Sequence, residues 1–205
     1  MTTGRYELDR GEEGQARLRQ LAMIDGDSQH FVEARGIEEG WAVLDVGAGG
    51  GSMTDWFCRR VGPSGRVVAL DLDTQNLERL THPNLEVRQA DLVTHEVERE
   101  TFDLVFARLV LNHIPEREAV LDRLVAALKR GGWIVLMDGD YAPSGVDTST
   151  PPDVAGRYSW VEAHWPAAAA AAGRTLDSGR RHAARLIARG LEEVGAEGRQ
   201  ALFRG

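Results

Sequence analysis

A chain of 205 residues, 42% hydrophobic and 27% charged, is long enough for one sizeable core and short for two. The formal charge of −8 is concentrated ahead of Gly173, where 17 basic residues face 28 acids, and a body that acidic repels a phosphate backbone and speaks against a nucleic-acid partner. The lone cysteine, Cys58, excludes an internal disulfide and a cysteine-built metal site, and no apolar run reaches the roughly 18 residues that span a bilayer, so the chain is expected to be cytoplasmic with no membrane partner.

The first 40 residues read as helical, with Ala16, Leu18, Leu21 and Ala22 on one face, a break at Asp25-Gly26-Asp27 and a second short helix from Ser28 to Ala34. A buried strand then runs from Ala42 to Val46 and enters a loop with four glycines in five positions, Gly47 to Gly51. Such a loop admits positive φ angles and lets a ligand approach the backbone closely. A helix from Ser52 to Arg60 and a turn at Gly62-Pro63-Ser64-Gly65 lead to a second buried strand, Arg66–Asp71. A short helix follows over Thr74–Leu80, then an alternating, edge-like strand from Leu85 to Ala90, and a buried strand from Phe102 to Ala107. The helix Pro115–Lys129 carries its apolar stripe on Ala119, Val120, Leu124, Val125 and Leu128, ends in Lys129-Arg130-Gly131-Gly132, and precedes a fifth strand, Trp133–Met137. Residues 141–172 form an aromatic insert with Tyr158, Trp160, His164 and Trp165, in which Pro166 is expected to interrupt a helix. A helix Arg180–Arg189, with Ala183, Ala184, Ile187 and Ala188 inward, and a sixth strand over Leu191–Phe203 complete the chain. The doublet Arg180-Arg181 reads as a solvated helix face.

Strands separated by helices predict a doubly wound α/β fold with a parallel sheet. Such a sheet gathers the loops after its strands on one rim, which here holds Asp45 to Gly51, Asp71, Asp91, Arg108 and Asp138 to Asp140. Asp71 lies 20 residues beyond Gly51, where an acid can accept hydrogen bonds from a ribose diol, and Asp91 is placed to accept from an exocyclic amine. The glycines fail the dinucleotide pattern in both registers, because its third glycine position falls on Ser52 or Thr54. Asp45, two residues before the loop, would repel a pyrophosphate and suit a positively charged ligand.

These residues carry a family resemblance. Asp45-x-Gly47-x-Gly49-x-Gly51, with Asp71 and Ala90-Asp91-Leu92, resembles the class I S-adenosylmethionine-dependent methyltransferases. Phe102-Asp103-Leu104-Val105 with Arg108 through Pro115, and Lys129-Arg130-Gly131-Gly132-Trp133, are similar to the fourth-strand and fifth-strand signatures of their small-molecule branch. The resemblance implies a Rossmann-like fold, S-adenosylmethionine as cofactor and a small-molecule methyl acceptor. It implies that Gly47, Ala48, Gly49 and Gly51 line the cofactor, with Asp45 near the methionine moiety and Asp71 on the ribose hydroxyls. Asp91 would meet the adenine amine, Leu72 and Leu92 the adenine faces, and the Arg108 backbone the methionine end. His113 is the rim-adjacent candidate for a base, although a helix-entry role before Pro115 fits it as well. Asp138 and Asp140 fit an acceptor pocket or a solvated loop equally, and the insert fits a lid or a packing helix.

The expected organisation is a single domain over 1–205: a helical segment to 40, a cofactor-binding core over 41–140, a lid or substrate-capping insert over 141–172, and a last helix and sixth strand over 173–205. The family's antiparallel seventh strand has no sequence here to make it, so either this is a piece of a longer protein or the sheet lacks that strand. Two rival functions remain at this level, an S-adenosylmethionine-binding protein or partner subunit without catalysis, and an NAD-dependent oxidoreductase.

Overall fold

The computed structural model describes residues 12–141, 146 and 148–199. Five strands, β1 (Ala42–Val46), β2 (Arg66–Asp71), β3 (Leu85–Gln89), β4 (Phe102–Arg108) and β5 (Leu128–Met137), pair in the order β3-β2-β1-β4-β5, and every pairing is parallel. The apolar runs seen in the sequence are these inner strands, buried on both faces. Alternate residues face opposite ways. Leu44, Val46, Val68, Leu70, Val105 and Ala107 pack toward helix α4 (Arg117–Ala126) and Leu186 of α6 (Ser178–Ile187). Val43, Val67, Leu104, Phe106 and Val135 pack toward Val32 of α2 (Asp25–Glu33) and Met53, Phe57 and Val61 of α3 (Ser52–Val61). Phe57 and Phe106 meet edge-to-face at 5.3 Å across that second interface.

The chain winds outward from β1 through β2 to β3, then returns past β1 to β4 and β5. The carboxyl ends of β1 and β4 therefore flank the point where the winding reverses, which is where open α/β sheets bind ligands.

Several elements depart from their expected bounds. At the N-terminus, Asp25-Gly26-Asp27 is the first turn of α2, and the break from α1 (Glu12–Leu21) is a 3-10 turn at Ala22–Ile24. Thr74–Leu80 is helical only at the 3-10 turn Leu77–Arg79. Leu128 pairs with Phe102, yet Trp133 pairs with Leu104, so the register shifts across Lys129-Arg130-Gly131-Gly132. This glycine-rich segment is a bulge in β5, with Gly131 at φ 78, and not the end of α4.

Helix α5 (Pro152–Ala171) runs unbroken through Pro166, and Ala169 is its one buried residue. Pro166 removes the N–H that would donate to the carbonyl four residues back, and the helix continues on both sides of it. The inward face of α6 is Ser178, His182 and Leu186, at i, i+4 and i+8, and Ile187 is 61% exposed, contrary to the alanine-rich face expected. Arg180 and Arg181 pair with Asp140 and Asp177. The sixth strand expected over Leu191–Phe203 does not form in its described part, residues 191–199. Glu193 takes φ 53, which breaks an extended run, and Gly195 and Gly198 weaken it further. Residues 200–203 lie outside the described part. Among the described residues no helix is long and apolar enough to cross a membrane.

Candidate active site

A cavity of about 510 Å³ opens at the carboxyl ends of β1, β2 and β4. Of the residues the sequence singles out, Asp45, Gly47, Ala48, Gly49, Asp71, Leu72, Asp91, Leu92, Arg108 and His113 all line it. Gly51 does not; its place in the wall is taken by Gly50. Gly51 is instead the residue before α3, at φ 80, where an added Cβ would meet Leu77 and Leu80 at 3.1 Å, so its role is to let the chain turn.

The glycine loop is built by β2 as much as by β1. The N–H groups of Gly47 and Ala48 donate to Leu70 O at 2.7 and 3.3 Å, and the Gly49 N–H donates to Asp71 Oδ2 at 2.8 Å. These three donors are committed within the protein, so the loop offers a ligand close backbone approach and not those N–H groups. At Gly47, φ 65 combines with Val110 Cγ2 only 2.4 Å from where a Cβ would stand.

Asp45 is buried at 2% exposure and accepts from Thr54 Oγ1 at 2.6 Å. Burial pushes its carboxyl up to about 6, against the lowering influence of Thr54 and the Arg108 guanidinium. Asp71 holds two backbone donors, Gly49 N–H on one oxygen and Asp73 N–H on the other at 3.0 Å; burial raises its carboxyl, and these bonds oppose the rise. Asp91 accepts from Val93 N–H at 2.9 Å, which closes a tight turn after β3, and the neighbouring Leu92 carbonyl accepts from the Arg123 guanidinium.

At the opposite wall, Leu109 sits at φ 57, rare for a leucine, held there by its N–H donating to Met137 O at 2.7 Å. The Arg108 side chain turns away to α2 and donates to Asp25 and Ser28. His113 ends the 3-10 turn Leu111–His113, which is pinned where Arg117 Nε donates to Leu111 O at 3.1 Å and Thr175 N–H to Asn112 O at 3.0 Å.

Asp138 and Asp140 do not reach this cavity. Asp138 Oδ2 accepts from Ser178 Oγ at 3.0 Å and pairs with His182 Nε2 at 2.9 Å, while Asp140 takes a two-pronged bond from Arg180 at 2.6 and 2.9 Å. Both acids anchor the start of α6. In the insert, Trp160 stacks on His164 at 4.3 Å on the exposed surface of α5.

Sequence reasoning missed the cavity's apolar side. Leu18 and Leu21 of α1, Met53, Val110 and Ile114 all line it. The signal for the first two was present as an apolar helix face, but a face alone does not name what it covers.

The charge of the wall is one-sided. Among the described residues Asp45, Asp71, Asp73 and Asp91 contribute carboxylates, and the one arginine, Arg108, is already paired with Asp25 at 2.7 Å. Such a wall fits a ligand with a cationic group and an adenosine end, and is unsuited to a pyrophosphate.

Comparison with known proteins agrees. Residues 44–136 match the family model described as methyltransferase domain. The ubiquinone/menaquinone biosynthesis C-methyltransferase UbiE of Hydrogenovibrio crunogenus is 30% identical over 120 residues, covering 54% of this chain and 46% of that protein. Its counterpart in Idiomarina loihiensis is 27% identical over 118 residues, covering 54% and 47%. The chain thus spans about half the length of the curated relatives it matches. Among solved structures, a SAM-dependent methyltransferase of Aquifex aeolicus aligns with TM-score 0.52 and 25% identity over 62% of this chain and 70% of that one. A Bacillus halodurans protein assigned as a methyltransferase has the same fold, with TM-score 0.60 and 22% identity over 80% and 68%. Motifs, strand order, cavity wall and family match converge on one likeness: residues 44–136 match the methyltransferase domain, and this core is similar to that of the class I S-adenosylmethionine-dependent methyltransferases.

Proposed function

We propose that the protein is an S-adenosylmethionine-dependent methyltransferase acting on a small, largely apolar acceptor. The observation that carries this reading is one cavity whose wall is acidic toward β2 and β3 and apolar toward α1 and the turn after β4. S-adenosylmethionine supplies an activated methyl group on a cationic sulfur. Asp71 would hold the ribose hydroxyls, Asp91 the adenine amine, and Leu72 and Leu92 the adenine faces. Asp45 would favour the positive methionine end beside the Arg108 backbone.

Methyl transfer needs little from a protein beyond alignment and a dry site, so the close glycine loop and the apolar wall of Leu18, Leu21, Val110 and Ile114 are the main contributors to rate. His113 would accept the acceptor's proton where the nucleophile carries one. The name of the curated relatives, ubiquinone/menaquinone biosynthesis C-methyltransferase, makes an electron-rich ring carbon a worthwhile acceptor to test.

The experiment is transfer of label from methyl-labelled S-adenosylmethionine to a panel of demethylated quinols, phenols, amines and thiols. Transfer to at least one of them, with S-adenosylhomocysteine released, is expected. Binding of S-adenosylhomocysteine without transfer to any acceptor would reduce the protein to a cofactor-binding subunit. A melting temperature raised by NADH alone would overturn the reading altogether.

A further inference from the structure

Arg108 carries more than its place in the cavity wall requires. Its Nη1 donates to Asp25 Oδ1 at 2.7 Å and to Ser28 Oγ at 2.9 Å, both on α2 and 83 and 80 residues away in sequence. The Arg108 and Asp25 side chains are 13% and 16% exposed, and Ser28 is fully buried. A charge pair so shielded is held more firmly than one on the surface.

Its effect passes to α1. The 3-10 turn Ala22–Ile24 joins the two helices, and Ser28 Oγ donates back to Ile24 O at 3.0 Å, so the turn is fixed by the same hydroxyl that meets Arg108. Helix α2 has a second anchor in the buried Val32, but no described side chain of α1 is fully buried. What α1 does contact is the glycine loop. Leu18 Cδ2 lies 3.3 Å from the position of a Cβ on Gly49, and Leu18 Cβ lies 3.6 Å from that of Gly50; Leu18 and Leu21 both line the cavity. Helix α1 lies as a roof over the glycine loop.

We propose that Arg108 is a positioning residue whose side chain latches the N-terminal helices over the glycine loop, so that methyl donor and spent product leave only when this latch opens. The proposal rests on the reading of the cavity as the S-adenosylmethionine site. It places seating of the cofactor and closure of its roof on one residue, backbone toward the ligand and guanidinium toward α2.

The test uses S-adenosylhomocysteine as the probe, with its dissociation followed by stopped flow and amide exchange followed over residues 12–24. Asp25→Asn keeps the shape of the pocket and removes the charge. It should speed dissociation about ten-fold, the loss expected of one charge-assisted bond. It should also raise exchange in α1 of the complex, and raise KM for the donor more than it changes kcat. Ser28→Ala removes the lesser acceptor and should give a smaller change in the same direction, while Arg108→Lys should recover part of the wild-type residence time. A purely structural role would lower the melting temperature of these variants and leave dissociation untouched. If wild type binds the probe and Asp25→Asn and Ser28→Ala both leave dissociation and exchange unchanged, the latch is wrong and the cavity reading stands. If wild type does not bind the probe, both fall.

Discussion

Asp71, the last residue of β2, accepts the backbone N–H of Gly49 at 2.8 Å, so the carboxylate expected to meet the ribose is also a strut of the glycine loop. Its second oxygen takes the Asp73 N–H at 3.0 Å. The proposed ribose contact and the loop geometry thereby depend on one side chain.

Asp71→Ala should therefore fail in two ways. It leaves two half-buried N–H groups without their acceptor, at about 1 kcal/mol each, and so should lower the melting temperature. Affinity for S-adenosylhomocysteine, measured by titration calorimetry, should fall by more than about ten-fold, since the lost ribose bonds alone are worth that much. Unchanged affinity in the folded variant would remove the ribose assignment.

Gly47 and Gly26 make a pair with opposite outcomes. Alanine at Gly47 must adopt φ 65 and place its Cβ 2.4 Å from Val110 Cγ2, a backbone cost of about 1 kcal/mol with a clash on top of it. The variant should melt well below wild type and bind S-adenosylhomocysteine weakly, because the residue that must give way, Val110, lines the cavity. Gly26 lies inside α2 with nothing within 4 Å of an added Cβ, and alanine there should stabilise by about 0.5–1 kcal/mol. Denaturant unfolding of both variants checks the contrast.

Local pattern explains what could be read in advance. β1 and β2 fall at Ala42–Val46 and Arg66–Asp71, as their apolar runs predict, and Asp45, Asp71 and Asp91 reach one cavity because a parallel sheet puts all strand ends on one rim. What was hidden depends on partners far along the chain. The Arg108 side chain is committed to Asp25, Asp138 to Ser178 and His182, and the inward face of α6 follows from His182 and not from its alanines. The failed sixth strand is a matter of backbone, since Glu193 takes a left-handed conformation that its residue type does not advertise.

Cys58 gives a probe of opening on the sheet face covered by α2 and α3. Burial, and after it the nearby Asp55 and Asp45, pushes its thiol up to about 12, so almost none is thiolate at neutral pH. In the native protein an aromatic disulfide reagent should react far more slowly than in denaturant, at a rate following the population of the open form. Rapid labelling of folded protein would show that the face formed by α3 and the sheet is looser than its packing implies.

The pH dependence of stability turns on Asp45. Its carboxyl is held at about 6 against an ordinary 3.8, chiefly by burial, so between these values the native state keeps a proton that the unfolded chain has released. Where the native state binds more protons, stability falls as pH rises. The contribution of Asp45 is therefore most favourable near pH 4, declines up to about pH 6 and is flat above it. Asp45→Asn preserves an oxygen for the Thr54 hydroxyl, now at 2.6 Å, and abolishes the titration. Melting curves at pH 4 and pH 7 should show variant and wild type close together at the lower pH and the variant higher at neutrality. Affinity for S-adenosylhomocysteine should move the other way, because the variant gives up the negative charge proposed to face the methionine end. A variant less stable than wild type at pH 7 would mean that the Thr54 hydrogen bond and the nearby Arg108 charge stabilise the ionised Asp45 beyond what burial removes.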